Sequence, residues 1–209
     1  MEHASAVSRA TRDDLEKLVA KGITRGFYLA GGTGLALLFN HRESRDLDFF
    51  SEAPFTEDAL VAHLTNAGTF ALEKKEEGTV LGQFNNTRVS FFHYPYPLLE
   101  APSLQAEVLV ASPSDIGCMK LDALASRGLK RDFFDLYTIL HKTDLSLSDL
   151  LRIFEKKFSS VRYNMMHIKK GLVYFVDAEH DPMPNMLEPI AWETVRDFFL
   201  TETKKLGSF

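Results

Sequence analysis

Asp46 and Asp48 stand on either side of Leu47, immediately ahead of Phe49-Phe50. In a β-strand successive side chains point to opposite faces, so both carboxylates leave one face, about 7 Å apart along the strand, while Leu47 and Phe49 leave the other. Aspartate is depleted in strands, and two like charges on one face repel. The pair therefore calls for a compensating cation, and Mg²⁺ suits it, because that ion takes one or two carboxylates together with substrate phosphates rather than a full protein cage. Upstream, Gly31-Gly32-Thr33 form a turn between a short apolar run and a helical segment. A helix starting there aims its N–H groups and positive dipole end at the turn, which favours an anion. Thr33 can cap that helix and offer its hydroxyl to a phosphate. His41, Arg42, Ser44 and Arg45 lie between the turn and the aspartates, where Arg42 or Arg45 can steady a triphosphate or pair with the acids. No Walker A loop occurs, and G-G-T-G lacks the third glycine of a dinucleotide fingerprint.

A second group lies far downstream. Lys120 and Arg127 are two helical turns apart and share a face. Asp132 and Asp135 lie one turn apart in R-D-F-F-D-L-Y. These charges can pair as helical ion pairs, or Lys120 can face phosphates while an aspartate positions it or Arg127. His63, His93, His141, His167 and His180 show no metal-ligand spacing and read as structural, and Lys156-Lys157 and Lys169-Lys170 read as solvated faces. The single cysteine, Cys118, has no internal disulfide partner and no evident catalytic base beside it, and reads as a buried thiol.

The elements that position these residues follow from periodicity and punctuation. Residues 10–21 predict an amphipathic helix, 27–30 a buried strand, 33–39 a helix, 46–51 a strand, and 56–64 a helix capped by Thr56. Three β-like runs follow at 70–75, 80–84 and 88–94, turning at Gly78 and Asn85-Asn86, and a further strand is expected at 107–110. Ser112-Pro113-Ser114-Asp115 carries a helix-start signature, after which the reading is helical: 113–127, 130–142, 147–158, 162–176 and 189–204, with a loop at 181–184. The fold class is α+β, with two lobes, 1–111 and 112–209; a site in the cleft between them is the usual arrangement. At 209 residues, 45% hydrophobic and net charge −5, the chain is of globular composition and unlike a strongly basic nucleic-acid protein. The amino terminus has no apolar signal segment and 27–39 is too short and glycine-rich to span a bilayer, so the expectation is a cytoplasmic protein without membrane contact.

Gly31-Gly32-Thr33, His41-Arg42, Ser44 and Asp46-Leu47-Asp48-Phe49-Phe50, with Lys120, Ala123-Leu124, Arg127-Gly128, Arg131-Asp132-Phe133 and Asp135-Leu136-Tyr137, resemble the AbiEii/AbiGii nucleotidyltransferase toxin family over about residues 10–204. The first motif resembles the polymerase β-type signature. The resemblance implies a minimal nucleotidyltransferase-like mixed sheet with flanking helices and a C-terminal helical lobe. It implies Mg²⁺, a nucleoside triphosphate, an RNA (tRNA-like) or protein acceptor, a cognate antitoxin, and a type IV toxin–antitoxin or phage-defence role. By motif match, Gly31, Gly32, Thr33, Arg42, Ser44, Arg127 and Asp135 belong to nucleotide binding, Asp46 and Asp48 to the metal, and Lys120 to catalysis at the nucleotide. Two departures stand out. Asn40 replaces a glycine before His-Arg, and Ser90 stands where such sites carry a third carboxylate, for which Glu73, Glu77 or Glu107 are the candidate substitutes. A catalytically impaired nucleotide- or partner-binding module on the same fold is the alternative function.

Overall fold

Helix α1 (Arg9–Ala20) starts where the Ser8 hydroxyl accepts the Thr11 N–H, satisfying one of the helix's orphan donors, and it buries Leu15 and Leu18. This structure, a computed structural model, describes residues 5–207. Strand β1 (Tyr28–Leu29) leads into α2 (Gly31–Phe39), which ends at Asn40 in the left-handed conformation with φ 49°, a conformation asparagine tolerates. Then come β2 (Leu47–Ser51), α3 (Glu57–Ala67), β3 (Phe70–Glu76), β4 (Thr79–Phe84), β5 (Thr87–His93), β6 (Ser103–Gln105) and β7 (Val108–Val110).

These strands form one mixed seven-stranded sheet in the order β3-β4-β5-β2-β1-β7-β6. β2 runs parallel to β5, and β1 parallel to β7; the remaining neighbours are antiparallel. Along β2 the expected alternation holds: Leu47, Phe49 and Ser51 are buried, Asp48 and Phe50 half-buried. Phe49 stacks on Phe91 of β5 with ring centroids 4.8 Å apart, and Phe27 meets Phe91 edge-on at 5.1 Å. Each fully buried phenylalanine contributes roughly 1.5–3 kcal/mol. That apolar face fixes β2's register, because a one-residue slip would put both aspartates inside.

The chain divides into two compact units, Met1–Ser112 and Pro113–Phe209. The second contains α4 (Pro113–Ser126), α5 (Lys130–Lys142), α6 (Leu147–Lys157), α7 (Met165–Gly171), α8 (Val176–His180) and α9 (Trp192–Lys205). A capping box starts α6: Ser146 accepts the Asp149 N–H while the Asp149 carboxylate accepts the Ser146 N–H. Phe133 on α5 is the aromatic hub of this unit, edge-on to Trp192 at 5.6 Å and to Phe199 at 5.5 Å.

Several elements depart from the sequence expectation. The helix expected over 162–176 is one short helix, α7, with α8 starting only at Val176. Asn164 takes the Met166 and His167 N–H groups, starting α7 late, and a Cβ on Gly171 would lie 2.9 Å from Ala125 Cα, so α7 presses against α4 there and then turns away. β6 was not expected, because its turn to β7 puts Ala106 and Glu107 at φ 45° and 61° without the Asn-Gly pair that marks such hairpins. Thr56 stands at the N-cap of α3 but makes no side-chain cap. The last helix starts at Trp192 rather than 189. Lys157 is not solvated: it falls on the buried stripe of α6 with Leu147, Leu150, Leu151 and Phe154, and its Nζ lies 2.7 Å from Asp115 Oδ1, both side chains fully buried.

Candidate active site

The glycines of the first motif are the opening turn of α2 rather than a loop before it. The N-cap position is Ala30, which has no capping side chain, and Thr33 does not cap α2. The Ala30 N–H donates to the Asp48 carbonyl at 3.0 Å, which places Gly31 against the Asp48 side chain. Gly31 has φ +63°, and a Cβ there would fall 2.8 Å from Asp48 Oδ2. Only glycine combines that backbone conformation with that approach. A Cβ on Gly32 would collide with the Arg42 guanidinium and come within 3.0 Å of Ser44 Oγ. Arg42 and Ser44 thus lie over the first turn of α2. Thr33, 1% exposed, hydrogen-bonds through its hydroxyl to Ser44 Oγ at 2.8 Å and to the Asp46 carbonyl. Its observed part is to strap the loop carrying Ser44 and Asp46 onto α2.

Asp46 precedes β2 and Asp48 lies within it, both half-buried. The Asp46 carboxylate has no ion-pair partner among the described residues. Register supplies the next neighbour: Asp48 pairs with Ser90 of the parallel strand β5, and Ser90 is buried. The position beside Asp48 that the family resemblance assigns to a third acid is therefore a hydroxyl. Glu73 is exposed on the edge strand β3, with β4 between it and β5; Glu77 and Glu107 are exposed at hairpin turns. None shares the Asp48 register, and no group of three potential metal-ligating acids, histidines or cysteines occurs among the described residues.

The second motif is a buried knot inside the helical unit. Lys120 Nζ lies 2.7 Å from Asp132 Oδ1 and 2.6 Å from Asp135 Oδ2, with both aspartates fully buried. Arg127, half-exposed, donates through Nε to Asp132 Oδ2 at 3.0 Å. Burial pushes the Asp132 carboxyl up, but the Lys120 ammonium and the Arg127 guanidinium outweigh it and hold the group below the usual carboxylate range. The two-turn spacing of Lys120 and Arg127 thus converges on one acceptor from the next helix. The residues singled out in sequence do come together, and Asp132 is their hub, bridging both cations, while Asp135 also meets Lys120.

Two further tethers were not foreseen. Asp14 of α1, buried, accepts from Asn85 Nδ2 at 2.5 Å and Thr87 Oγ1 at 2.6 Å, fixing the β4–β5 turn. Asp181 accepts the Lys130 N–H at 3.0 Å through its carboxylate, and its carbonyl accepts Lys130 Nζ at 2.8 Å, anchoring the start of α5. Neither had a short-range sequence signal, since the partners lie 71, 73 and 51 positions apart. Cys118 is buried, and burial pushes its thiol up to about 12, in keeping with an inert role.

Comparison with known proteins gives one picture. The model of the nucleotidyl transferase AbiEii toxin family, of type IV toxin–antitoxin systems, matches residues 13–205. An uncharacterized protein of Aquifex aeolicus is 36% identical over 203 residues, covering 95% of this chain and 97% of that one. Among solved structures, JHP933 from Helicobacter pylori superposes with a TM-score of 0.59 at 17% identity, over 96% of this chain and 93% of its own. MenT4, a nucleotidyltransferase toxin of Mycobacterium tuberculosis, does so with a TM-score of 0.57 at 15% identity, over 96% and 87%. At these identities the structural likeness is one of fold. Among the described residues no helix is long and apolar enough to cross a membrane.

Proposed function

The chain belongs to the AbiEii family of nucleotidyltransferase toxins, and from that premise we propose that the corner formed by Gly31, Asp46 and Asp48 moves a nucleoside monophosphate from a nucleoside triphosphate to the hydroxyl of an RNA (tRNA-like) or protein acceptor. The observation that carries this reading is the approach of Asp48 to Gly31: a carboxylate held against the first turn of a helix. That turn favours phosphate, and the carboxylates favour a cation, so a metal–triphosphate is the ligand that satisfies both. Two carboxylates are the donor set Mg²⁺ needs when phosphates and water complete its shell, so the residues present fit the ion. Asp46 and Asp48 would hold it, and when bound it would neutralise charge developing on the phosphates.

In the reaction the acceptor oxygen forms a bond to the α-phosphorus, the bond from that phosphorus to the bridging oxygen of the β-phosphate breaks, and pyrophosphate leaves. The hydroxyl proton passes to solvent or to a carboxylate. Gly31, Gly32 and Arg42 orient the phosphates; Ser44 and Thr33 hold the loop that carries Asp46. The assignment of Lys120, Arg127 and Asp135 to nucleotide binding, with Lys120 at the phosphates, rests on motif resemblance. The first unit is the proposed nucleotidyltransferase lobe and the second the helical lobe. The cellular role proposed is that of a cytoplasmic toxin paired with a cognate antitoxin, acting in phage defence.

Ser90 in register with Asp48 favours a second reading, a module that binds nucleotide without turnover. Incubation with Mg²⁺, each labelled triphosphate and total RNA or total protein separates the two. Transfer of label that is lost with EDTA and with Asp48→Asn is the expected result. Calorimetric binding of the triphosphate with no labelled product supports the second reading instead, and neither binding nor product removes both.

A further inference from the structure

Asn40 closes α2 in the left-handed conformation, with φ 49°, a requirement that glycine meets with less strain. Asparagine brings a side chain as well, and that side chain is used. Its Oδ1 accepts the Ala6 N–H at 2.9 Å, across 34 positions of sequence. The Ala6 carbonyl in turn accepts the Ser44 N–H at 2.8 Å, and Val7 forms a parallel bridge with Ser44. One residue, Ala6, thus grips the loop 40–44 at both ends. The grip is buried: Ala6 is 1% and Val7 2% exposed. A buried backbone N–H or carbonyl left without a partner is costly, so the two bonds and the docking of the segment support each other. Behind it, the Ser5 hydroxyl donates to the Val7 carbonyl at 3.0 Å and accepts from Arg12 of α1 at 3.0 Å, while Ser8 caps α1. Residues 5–8 are therefore a brace tied to a helix that buries Leu15 and Leu18.

Between the two grips lie His41, Arg42 and Glu43. Arg42 is buried, and its guanidinium occupies the space a Cβ on Gly32 would need. Ser44 accepts the Thr33 hydroxyl at 2.8 Å. We propose that Asn40 is a positioning residue for the phosphate site: through the brace of residues 5–8 it fixes both ends of the loop and so holds Arg42 and Ser44 over the first turn of α2. The proposal rests on the nucleotidyl-transfer reading, in which Arg42 orients the phosphates. A loop already fixed when the triphosphate arrives does not have to be ordered by it, and ordering is a cost that binding otherwise bears. The coupling is reciprocal: a brace that tightens triphosphate binding is itself tightened by the triphosphate.

The test uses the full chain, with amide hydrogen exchange over residues 5–8 and 41–44, and calorimetric titration of the tightest-binding of ATP, CTP, GTP and UTP in the presence of Mg²⁺. Asn40→Gly keeps the left-handed backbone and removes the acceptor. It is expected to speed exchange in both segments and to raise the triphosphate Kd about fivefold, on the scale of one net hydrogen bond, in buffer where the chain is fully folded. Asn40→Asp keeps an acceptor and tolerates the same backbone. In about 0.3 M salt, where a charge at this exposed position is screened, it is expected to restore both slow exchange and the wild-type Kd. Saturating triphosphate is expected to slow exchange of residues 5–8 in the wild type, and less so in Asn40→Gly. A lower urea midpoint for Asn40→Gly with Kd unchanged overturns the proposal, because Asn40 then only ends a helix. Failure of Asn40→Asp to restore the Kd overturns it too, because the acceptor is then not what matters. If the wild type binds no triphosphate with Mg²⁺, the nucleotidyl-transfer reading falls and the positioning role falls with it; equal binding by the wild type and Asn40→Gly overturns the role alone.

Discussion

The two aspartate pairs of this protein are built in opposite ways. Asp132 and Asp135 are fully buried, and each is met by a cation of its own unit at hydrogen-bonding distance. Asp46 and Asp48 are half-buried; Asp48 stands against the first turn of α2, and Asp46 has no ion-pair partner among the described residues. Charges inside a protein must be compensated. The first pair is compensated from within and contributes rigidity. In the second, Asp46 has no ion-pair partner among the described residues, which suits the cation site proposed for it.

The comparison breaks first on a split between activity and stability. Asp48→Asn is expected to lower transfer by roughly 10²–10³-fold or more, the scale for removing a group that stabilises transition-state charge, with little change in the urea midpoint. Asp132→Ala is expected to do the reverse in its main effect. Stranding Lys120 without one buried partner costs about 3–5 kcal/mol, read as a fall in unfolding free energy. Equal stability losses in the two variants would erase the distinction.

Acid should expose the same contrast. The Asp132 carboxyl is lowered in the folded state, so its contribution is present above the unfolded value of about 3.9 and is lost as pH falls through the folded value. Stability of the wild type is therefore expected to decline below about pH 4, with a weaker decline in Asp132→Asn, measured by urea titration across pH. A smaller effect is expected from Gly31→Ala. The left-handed conformation costs a non-glycine residue about 1–2 kcal/mol, and the added Cβ pushes on Asp48 Oδ2. Triphosphate affinity should fall with it; unchanged affinity would show that the Asp48 position is not set by that approach.

Local patterns made much of this molecule legible. The strand expected over 46–51 is there from Leu47 to Ser51 with the expected alternation, Asp48 opposite the buried Leu47 and Phe49. Periodicity found α1, α4, α5 and α6 to within a residue or two. The signals failed where the deciding partner was distant. Lys157 looked like a solvated lysine until α4 brought Asp115 to it. The run over 162–176 looked continuous, but the Asn164 cap starts it late and it ends at Gly171, which lies close against Ala125. Thr33 looked like a cap, but its hydroxyl is used by Ser44 and Asp46.

Residue type and spacing by themselves determined that a strand carries Asp48 behind Leu47, that a helix follows the glycine pair, and that Lys120 and Arg127 share a helix face while Asp132 and Asp135 lie one turn apart, because strand and helix periods are local properties of the backbone. Tertiary structure decided the rest. Strand pairing set Ser90 rather than an acid beside Asp48, helix packing made Asp132 the hub of the buried charges, and the approach of β2 to α2 left no room for a Cβ between Gly31 and Asp48. Each depends on which distant segment lies alongside, and no local period encodes that.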